Sequence, residues 1–166
     1  MTNVFIDGKE GTTGLQIYDR LGGRKDVSII SLPEELRKDE KARKEAINSA
    51  DVVFLCLPDS AAVQAVSLVE SEKVKIIDAS TAHRTNSSWA YGFPELSKEH
   101  RRKIQTSRFI ANPGCYASGF ISLVYPLVMG GLVERDYPFV CHAVSGYSGA
   151  GKKGIAQYEE ANRAKE

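Results

Sequence analysis

The chain has 166 residues, of which 42% are hydrophobic and 26% charged, and its formal net charge is +1. The length suits one domain or one domain and part of a second, and the near-zero charge gives no reason to expect nucleic acid or an acidic membrane as a partner. No apolar run approaches the ~20 residues that span a bilayer. The three cysteines, Cys56, Cys115 and Cys141, lack metal-like spacing, so we expect a cytoplasmic protein without a metal site.

Apolar runs typical of strands alternate with helical patterns through the first two thirds of the chain. The strand-like runs cover 4–7, 27–32, 51–57, 73–78 and 108–111, and helices are predicted over 15–21, from 34 to about 49 and from 59 to about 71. Short strands that alternate with helices of this length form a parallel sheet covered on both faces. We therefore predict an α/β fold with a Rossmann-like, doubly wound parallel sheet.

The first strand leads directly into a glycine-rich turn, Gly8-Lys9-Glu10-Gly11-Thr12-Thr13-Gly14. Glycines between a strand and a helix let the backbone approach a pyrophosphate, whose charge the amides at the helix N-terminus bind. The spacing is G-x-x-G-x-x-G, not the commoner G-x-G-x-x-G. The turn predicts a dinucleotide site at Gly8, Gly11, Thr12, Thr13 and Gly14, and the alternative is a plain strand-to-helix turn.

The end of the second strand carries Ser31 where an NAD site usually has a carboxylate for the ribose hydroxyls. A 2′-phosphate prefers a hydroxyl or a cation there, and Arg24, Arg37 and Lys38 are near in sequence. This pattern favours NADP. The alternative is that these charges belong to the solvated face of the second helix.

A tight turn, Asn112-Pro113-Gly114-Cys115, joins the run 108–111 to a long apolar helical segment. Asn112 precedes a proline, which favours extended geometry, and Gly114 allows backbone angles that other residues resist. A thiol at the start of a helix lies beside free amide protons, which favour thiolate over thiol and stabilise an oxyanion. Cys115 is therefore a candidate nucleophile, or else a small buried thiol in a turn.

A second glycine-rich stretch, Ser145-Gly146-Tyr147-Ser148-Gly149-Ala150-Gly151, follows the run 139–144, which we interpret as an apolar strand. Residues 146–153 lack the final hydroxyl of a phosphate-binding P-loop. We predict that this loop contacts the cofactor or the substrate phosphate, and we assign Ser145, Gly146 and Gly149 to the cofactor. The alternative is a plain turn, and His142 is interpreted as a packed core residue.

These stretches, together with Asp78-Ala79-Ser80-Thr81-Ala82-His83-Arg84 and Gly92-Phe93-Pro94-Glu95-Leu96, resemble the shorter form of the N-acetyl-gamma-glutamyl-phosphate reductase family of arginine biosynthesis. The resemblance implies NADPH-dependent reduction of N-acetyl-L-glutamyl 5-phosphate to the 5-semialdehyde, with phosphate release, through a thioester on Cys115. It also implies that Leu57, Pro58 and Ser80 line the nicotinamide side. Arg84 and Asn112 are expected to contact the substrate, with a structural ion pair as the alternative for Arg84.

The resemblance further implies an NADP-binding domain at 1–113 and, at 114–166, the incomplete beginning of an α+β catalytic and dimerisation domain. The family's acid/base histidine lies downstream of the cysteine, and none of His83, His100 and His142 matches that motif. We expect an N-terminal portion that binds NADP but catalyses poorly alone, and that forms a homo-oligomer in the full-length protein. An aspartate-semialdehyde dehydrogenase-type enzyme and a non-catalytic NADP-binding fragment remain as alternatives.

Overall fold

A computed structural model of the chain describes residues 1–9 and 11–163, apart from the side chains of residues 12, 152, 153 and 161–163. The chain forms two compact units, Met1–Ser118 and Gly119–Glu166. Within the described ranges, no helix combines the length and the apolarity that a membrane crossing requires.

The first unit alternates strands and helices. Its strands are β1 (Thr2–Asp7), β2 (Val27–Ile30), β3 (Val52–Leu55), β4 (Lys75–Asp78), β5 (Ala90–Tyr91) and β6 (Phe109–Ala111). Its helices are α1 (Thr12–Gly22), α2 (Glu40–Ser49), α3 (Asp59–Ser67) and α4 (Lys98–Thr106), and α5 (Cys115–Met129) begins in this unit.

The strands form one parallel sheet in the order β2-β1-β3-β4-β6-β5. The chain moves outward from β1 to β2 and then returns past β1 to β3. This reversal makes the carboxyl ends of β1 and β3 a topological switch point, which is where ligands bind in open α/β sheets. The predicted Rossmann-like parallel α/β fold is confirmed.

The core lies between one face of this sheet and the helices α2 and α3. Strand side chains alternate between faces, so the residues that fill this face recur at every second position. The strands contribute Phe5, Val53, Leu55 and Ile76, and the helices contribute Ala46, Ile47, Ala62 and Ala65. The alanines allow the helices to pack close to the sheet. By the same alternation Asp7 and Asp78 share this face, in one row with Leu55.

The two largest differences between predicted and observed boundaries in the first unit concern α2 and α3. The second helix begins at Glu40 and not at 34, because the side chain of Asp39 caps it by accepting a hydrogen bond from the amide of Ala42 at 2.7 Å. Residues Glu34–Leu36 form a separate 3-10 turn, and α3 ends at Ser67. The two-residue strand β5 is too short to give a sequence signal.

The second unit contains the remainder of α5, a 3-10 turn at Ser148–Ala150 and α6 (Gly151–Arg163). The predicted strand over 139–144 is wrong. Its residues are irregular and exposed except for the half-buried Phe139, and His142 is exposed instead of packed in a core. No strand lies in the described part of this unit, so the segment has no neighbour there with which to form a ladder.

Candidate active site

The glycine-rich turn begins directly after β1 and ends inside the first turn of α1. Gly8 has φ +87°, and a Cβ at this position would lie 2.3 Å from the carbonyl oxygen of Cys56. Gly14 is buried, and a Cβ there would lie 2.4 Å from the carbonyl oxygen of Gly8. Because both spaces are filled by backbone, any larger residue would force the turn open.

The N-terminus of α1 has the features of an anion site. Gly11 precedes the helix, no side chain of the described residues caps it, and no acidic residue occupies its first turn. The first amides of a helix have no partner within the helix, so they can bind an anion. Thr13 is exposed beside them, whereas the side chain of Thr12 lies outside the described residues. The glycine cradle and these amides fit a pyrophosphate.

The carboxyl end of β2 brings the exposed Ser31 to the same edge of the sheet, because β1 and β2 are parallel. Arg37 and Lys38 follow Ser31 along the chain, after the 3-10 turn Glu34–Leu36. Arg24 instead precedes β2 and pairs with Asp26 at 2.6 Å, at the opposite edge of the sheet. Arg24 is therefore near Ser31 in sequence but not in space.

Asp7, the last residue of β1, forms a buried ion pair with Arg43 of α2. Nε and Nη2 of Arg43 donate to Oδ2 of Asp7 at 3.1 and 2.8 Å, and the two side chains are 8% and 7% exposed. Nη1 also donates to Oε1 of Gln64 on α3, at 3.5 Å. The pair compensates a carboxylate that would otherwise be buried without a counter-charge beneath the glycine turn.

The loop after β3 lies across the switch point from Gly8. Cys56 donates its amide to the carbonyl oxygen of Asp7 at 2.8 Å. Burial, followed by the carboxylates of Asp7 and Asp78, raises the pKa of the Cys56 thiol to about 11. Leu57 is half-buried and Pro58 is exposed. This loop therefore presents apolar side chains beside an uncharged thiol.

Asp78, at the end of β4, is fully buried and organises the loop that follows it. Ser80 donates its amide to Oδ1 at 2.9 Å and its hydroxyl to Oδ2 at 2.7 Å, and Nδ1 of His83 lies 2.6 Å from Oδ2. His83 stacks on Trp89 with ring centroids 4.0 Å apart. Ser80 was predicted to contact the cofactor, and in the structure its hydroxyl donates to the buried Asp78.

A carboxylate links the loop after β4 to the loop after β3. Asp59, the first residue of α3, accepts the hydroxyl of Thr81 at 2.5 Å and its amide at 2.9 Å. These hydrogen bonds hold the pKa of Asp59 below its usual value. The loop after β4 is therefore tied to the start of α3 at the carboxyl edge of the sheet.

Cys115 is the first residue of α5, directly after the turn that follows the carboxyl end of β6. Its side chain is exposed. This exposure excludes the alternative of a buried thiol in a turn. Asn112 donates its amide to the carbonyl oxygen of Asp78 at 2.7 Å, and its exposed side chain donates to the carbonyl oxygen of Pro113 at 3.2 Å. Since β1 and β6 are parallel members of one sheet, the thiol and the glycine turn share an edge.

Arg84 joins the loop after β4 to the Cys115 turn. Its Nε donates to the carbonyl oxygen of Asn112 at 3.0 Å and its Nη2 to that of Ala79 at 2.9 Å. A Cβ at Gly114 would lie 2.7 Å from Nη1 of Arg84. Gly114 does not have a positive φ, so the turn uses its small size and not the backbone freedom that we expected.

The second glycine-rich stretch belongs to the second unit. Ser145, Gly146 and Gly149 are exposed, and Gly149 donates its amide to the carbonyl oxygen of Gly146 at 3.0 Å. This is a local turn, and a role in cofactor binding stays a prediction.

Sequence reasoning missed the two buried carboxylate pairs. Arg43 gave a usable signal, since it lies three and four residues before Ala46 and Ile47 and thus on the apolar side of α2. His83 lies five residues after Asp78, inside an irregular loop where no periodicity relates the two side chains.

The parallel sheet, the glycine turn at its switch point and the exposed thiol at a helix start define a dinucleotide-binding α/β domain with a candidate cysteine nucleophile. The family model described as semialdehyde dehydrogenase, NAD binding domain, matches residues 3–104. The model described as semialdehyde dehydrogenase, dimerisation domain, matches residues 115–166. The chain belongs to the semialdehyde dehydrogenase family.

Known proteins resemble different extents of the chain. N-acetyl-gamma-glutamyl-phosphate reductase 2 of Pseudomonas putida is 52% identical over 162 residues, which are 98% of this chain and 52% of that protein. Aspartate semialdehyde dehydrogenase II of Vibrio cholerae has a TM-score of 0.64 at 16% identity, over 96% of this chain and 51% of that one. The enzyme of Candida albicans, solved with NADP, has a TM-score of 0.56 at 13% identity, over 78% and 47%. The two structures support the fold alone, and the chain spans about half the length of the curated relative.

Proposed function

We propose that the chain provides the cofactor-binding region and the nucleophile of an NADPH-dependent N-acetyl-gamma-glutamyl-phosphate reductase. The observation that carries this proposal is the exposed Cys115 at the start of α5, on the same sheet edge as the glycine turn. The Pseudomonas putida relative, 52% identical over 98% of the chain, bears the name of this enzyme and supports this substrate over aspartyl phosphate.

The residues of the first unit suit NADPH. The backbone at Gly8, Gly11 and Gly14 and the hydroxyls of Thr12 and Thr13 would hold the pyrophosphate. Ser31 would contact the 2′-phosphate, and Leu57, Pro58 and the loop at Ser80 would lie beside the nicotinamide. Ser145, Gly146 and Gly149 are also proposed to contact the cofactor. When bound, the cofactor supplies a hydride.

Cys115 would form a thioester with the substrate in a first step and release the product from it in a second. The thiolate attacks the acyl carbon of N-acetylglutamyl 5-phosphate, a carbon–sulfur bond forms, and the carbon–oxygen bond to phosphate breaks with release of inorganic phosphate. Hydride addition to the thioester carbon and breakage of the carbon–sulfur bond then give the semialdehyde and restore the thiolate. The amides at the start of α5 would stabilise the oxyanion that forms in both steps.

Arg84 and Asn112 would bind the substrate next to the sulfur. Nε and Nη2 of Arg84 already donate to backbone carbonyl groups, so Nη1 is the nitrogen that would meet the acyl phosphate. The exposed Asn112 side chain would add a donor on the same turn. The match to a dimerisation domain supports a homo-oligomer, and we assign the enzyme to the cytoplasm.

The test is phosphate-dependent reduction of NADP by N-acetylglutamate 5-semialdehyde, run with this chain and with the complete product of its gene. We expect turnover by the complete product and poor catalysis by this chain alone. Cys115→Ser should abolish the turnover, while NADPH binding, followed by its fluorescence, survives the substitution. Aspartate 4-semialdehyde serves as the comparison substrate. Preference for it would support the aspartate-type alternative, and activity that persists in the Cys115→Ser variant would remove the proposed nucleophile.

A further inference from the structure

The guanidinium group of Arg84 is held by two hydrogen bonds to different loops and packs beside Gly114. Nε binds the carbonyl oxygen of Asn112, Nη2 binds that of Ala79, and Nη1 fills the space beside Gly114. Asn112 and Gly114 are residues of the turn that ends at Cys115, whereas Ala79 belongs to the loop after β4. The planar fork therefore spans the gap between the carboxyl ends of β4 and β6.

We propose that Arg84 is a positioning residue that holds the backbone of the Asn112–Gly114 turn and thereby aims the Cys115 sulfur at the amides that start α5. This inference rests on the proposed function, in which the Cys115 thiol is the nucleophile. It is distinct from substrate binding, since it operates in the protein before any ligand is present. A guanidinium suits it because its donors are rigidly spaced, whereas a lysine offers one flexible ammonium group.

Arg84 can hold the turn only if its own loop is rigid. Asp78 ties that loop to β4 through Ser80 and His83. Asp59 ties it to α3 through both polar groups of Thr81. Arg84 therefore connects the Cys115 turn to a loop already restrained by buried and charge-assisted hydrogen bonds.

The packing of Arg84 also explains the glycine at position 114. Its φ is not in the left-handed region, so the backbone alone does not demand glycine. A methyl group at 114 would overlap Nη1 of Arg84, at 2.7 Å, and would push the guanidinium away from its two carbonyl partners. Gly114→Ala should therefore resemble the loss of Arg84, although it leaves every charge in place.

The experiment measures iodoacetamide alkylation of Cys115, resolved from the other thiols by mass spectrometry of peptides. The exposed Cys141 is an internal reference within the same molecule. We expect Arg84→Lys, Arg84→Met and Gly114→Ala each to slow alkylation of Cys115 by about tenfold, within the range of coupling between residues that share a contact. Alkylation of Cys141 should not change.

A double-mutant cycle tests whether Arg84 and Gly114 act through the same contact. In the Arg84→Met background, Gly114→Ala should slow alkylation further by less than about twofold, because the overlap it creates no longer exists. Arg24→Met, which removes an arginine at the opposite edge of the sheet, is the matched control and should leave the rate at Cys115 unchanged. Circular dichroism checks that each variant is folded.

Two results would overturn the proposal. If Arg84→Lys reacted like the wild type, the positive charge alone would matter and the fork would hold nothing. If Gly114→Ala had the same effect with and without Arg84, the two residues would act independently. Neither measurement uses substrate or cofactor. If the complete product shows the coupling but no reductase turnover, the reductase proposal is refuted and the positioning role stays intact.

Discussion

The buried pair of Asp7 and Arg43 permits a quantitative prediction. Arg43→Met keeps much of the side chain's volume but leaves the Asp7 carboxylate, 7% exposed, without the two donors at 3.1 and 2.8 Å. At 2.8 Å and an effective dielectric constant of ~20, the gross attraction is about 6 kcal/mol. Part of it is offset by the desolvation that arginine no longer suffers, so we expect a net loss of about 3–5 kcal/mol in the free energy of unfolding.

Urea denaturation followed by far-ultraviolet circular dichroism measures this loss. Lys44→Met is the matched control on the same helix, because Lys44 pairs with Glu70 at 2.6 Å but is 41% exposed. We expect that control to lose at most ~1 kcal/mol. Arg43→Met should also weaken NADPH binding, because an uncompensated carboxylate would lie beneath the pyrophosphate turn.

The double variant Asp7→Asn/Arg43→Met tests the cause of the loss. It removes the uncompensated charge, so it should recover most of the stability lost by Arg43→Met, together with the NADPH affinity. An Arg43→Met loss as small as that of Lys44→Met would refute the reasoning. A double variant no more stable than the single one would show that packing, and not the unpaired carboxylate, sets the loss.

Three further predictions concern the same sheet edge. Gly14→Ala should abolish NADPH binding measured by fluorescence, because its Cβ would overlap the carbonyl oxygen of Gly8, whereas Gly22→Ala in open space at the end of α1 should bind normally. Cys56 should be alkylated slowly at pH 8 and progressively faster up to about pH 11, since burial and two carboxylates raise its pKa to that value. The protonated thiol contributes stability that is fully present below pH 9.0 and is lost as the pH rises through about 11. Ser80→Ala should cost about 1–2 kcal/mol in urea denaturation but leave the NADPH dissociation constant within about twofold, since the hydroxyl binds Asp78; a large loss of affinity at unchanged stability would restore Ser80 as a direct cofactor contact.

The parts of the site predictable from sequence are those governed by neighbouring residues. The glycine turn and the start of α5 depend on backbone chemistry within a few positions, and both lie where the sequence indicated. Gly114 shows the limit of such reasoning, because its reason for being glycine is a side chain 30 residues earlier in the chain. Local pattern predicts that a turn exists but not what packs against it.

Distance along the chain is a poor guide to distance in space when a strand intervenes. Arg24 and Ser31 are close in sequence, yet β2 lies between them and puts them at opposite edges of the sheet. The prediction of a strand at 139–144 was wrong for a related reason. A strand is stable only beside another strand, and a single sequence does not show which strand that would be. The ion pair of Asp7 and Arg43, 36 residues apart, is likewise a product of the fold.

The two carboxylates that end β1 and β4 disfavour the thiolate form of Cys56, a thiol at the carboxyl edge of the sheet. Asp7 and Asp78 flank Leu55 in the same row of the sheet, and Cys56 follows Leu55 directly. Their charges act on Cys56 in the same direction as its burial, against the thiolate. Cys115, in contrast, is exposed at the start of α5. Burial of acids that are each held by their own partners thus gives rigid loops and, from the same charges, a Cys56 thiol that stays protonated.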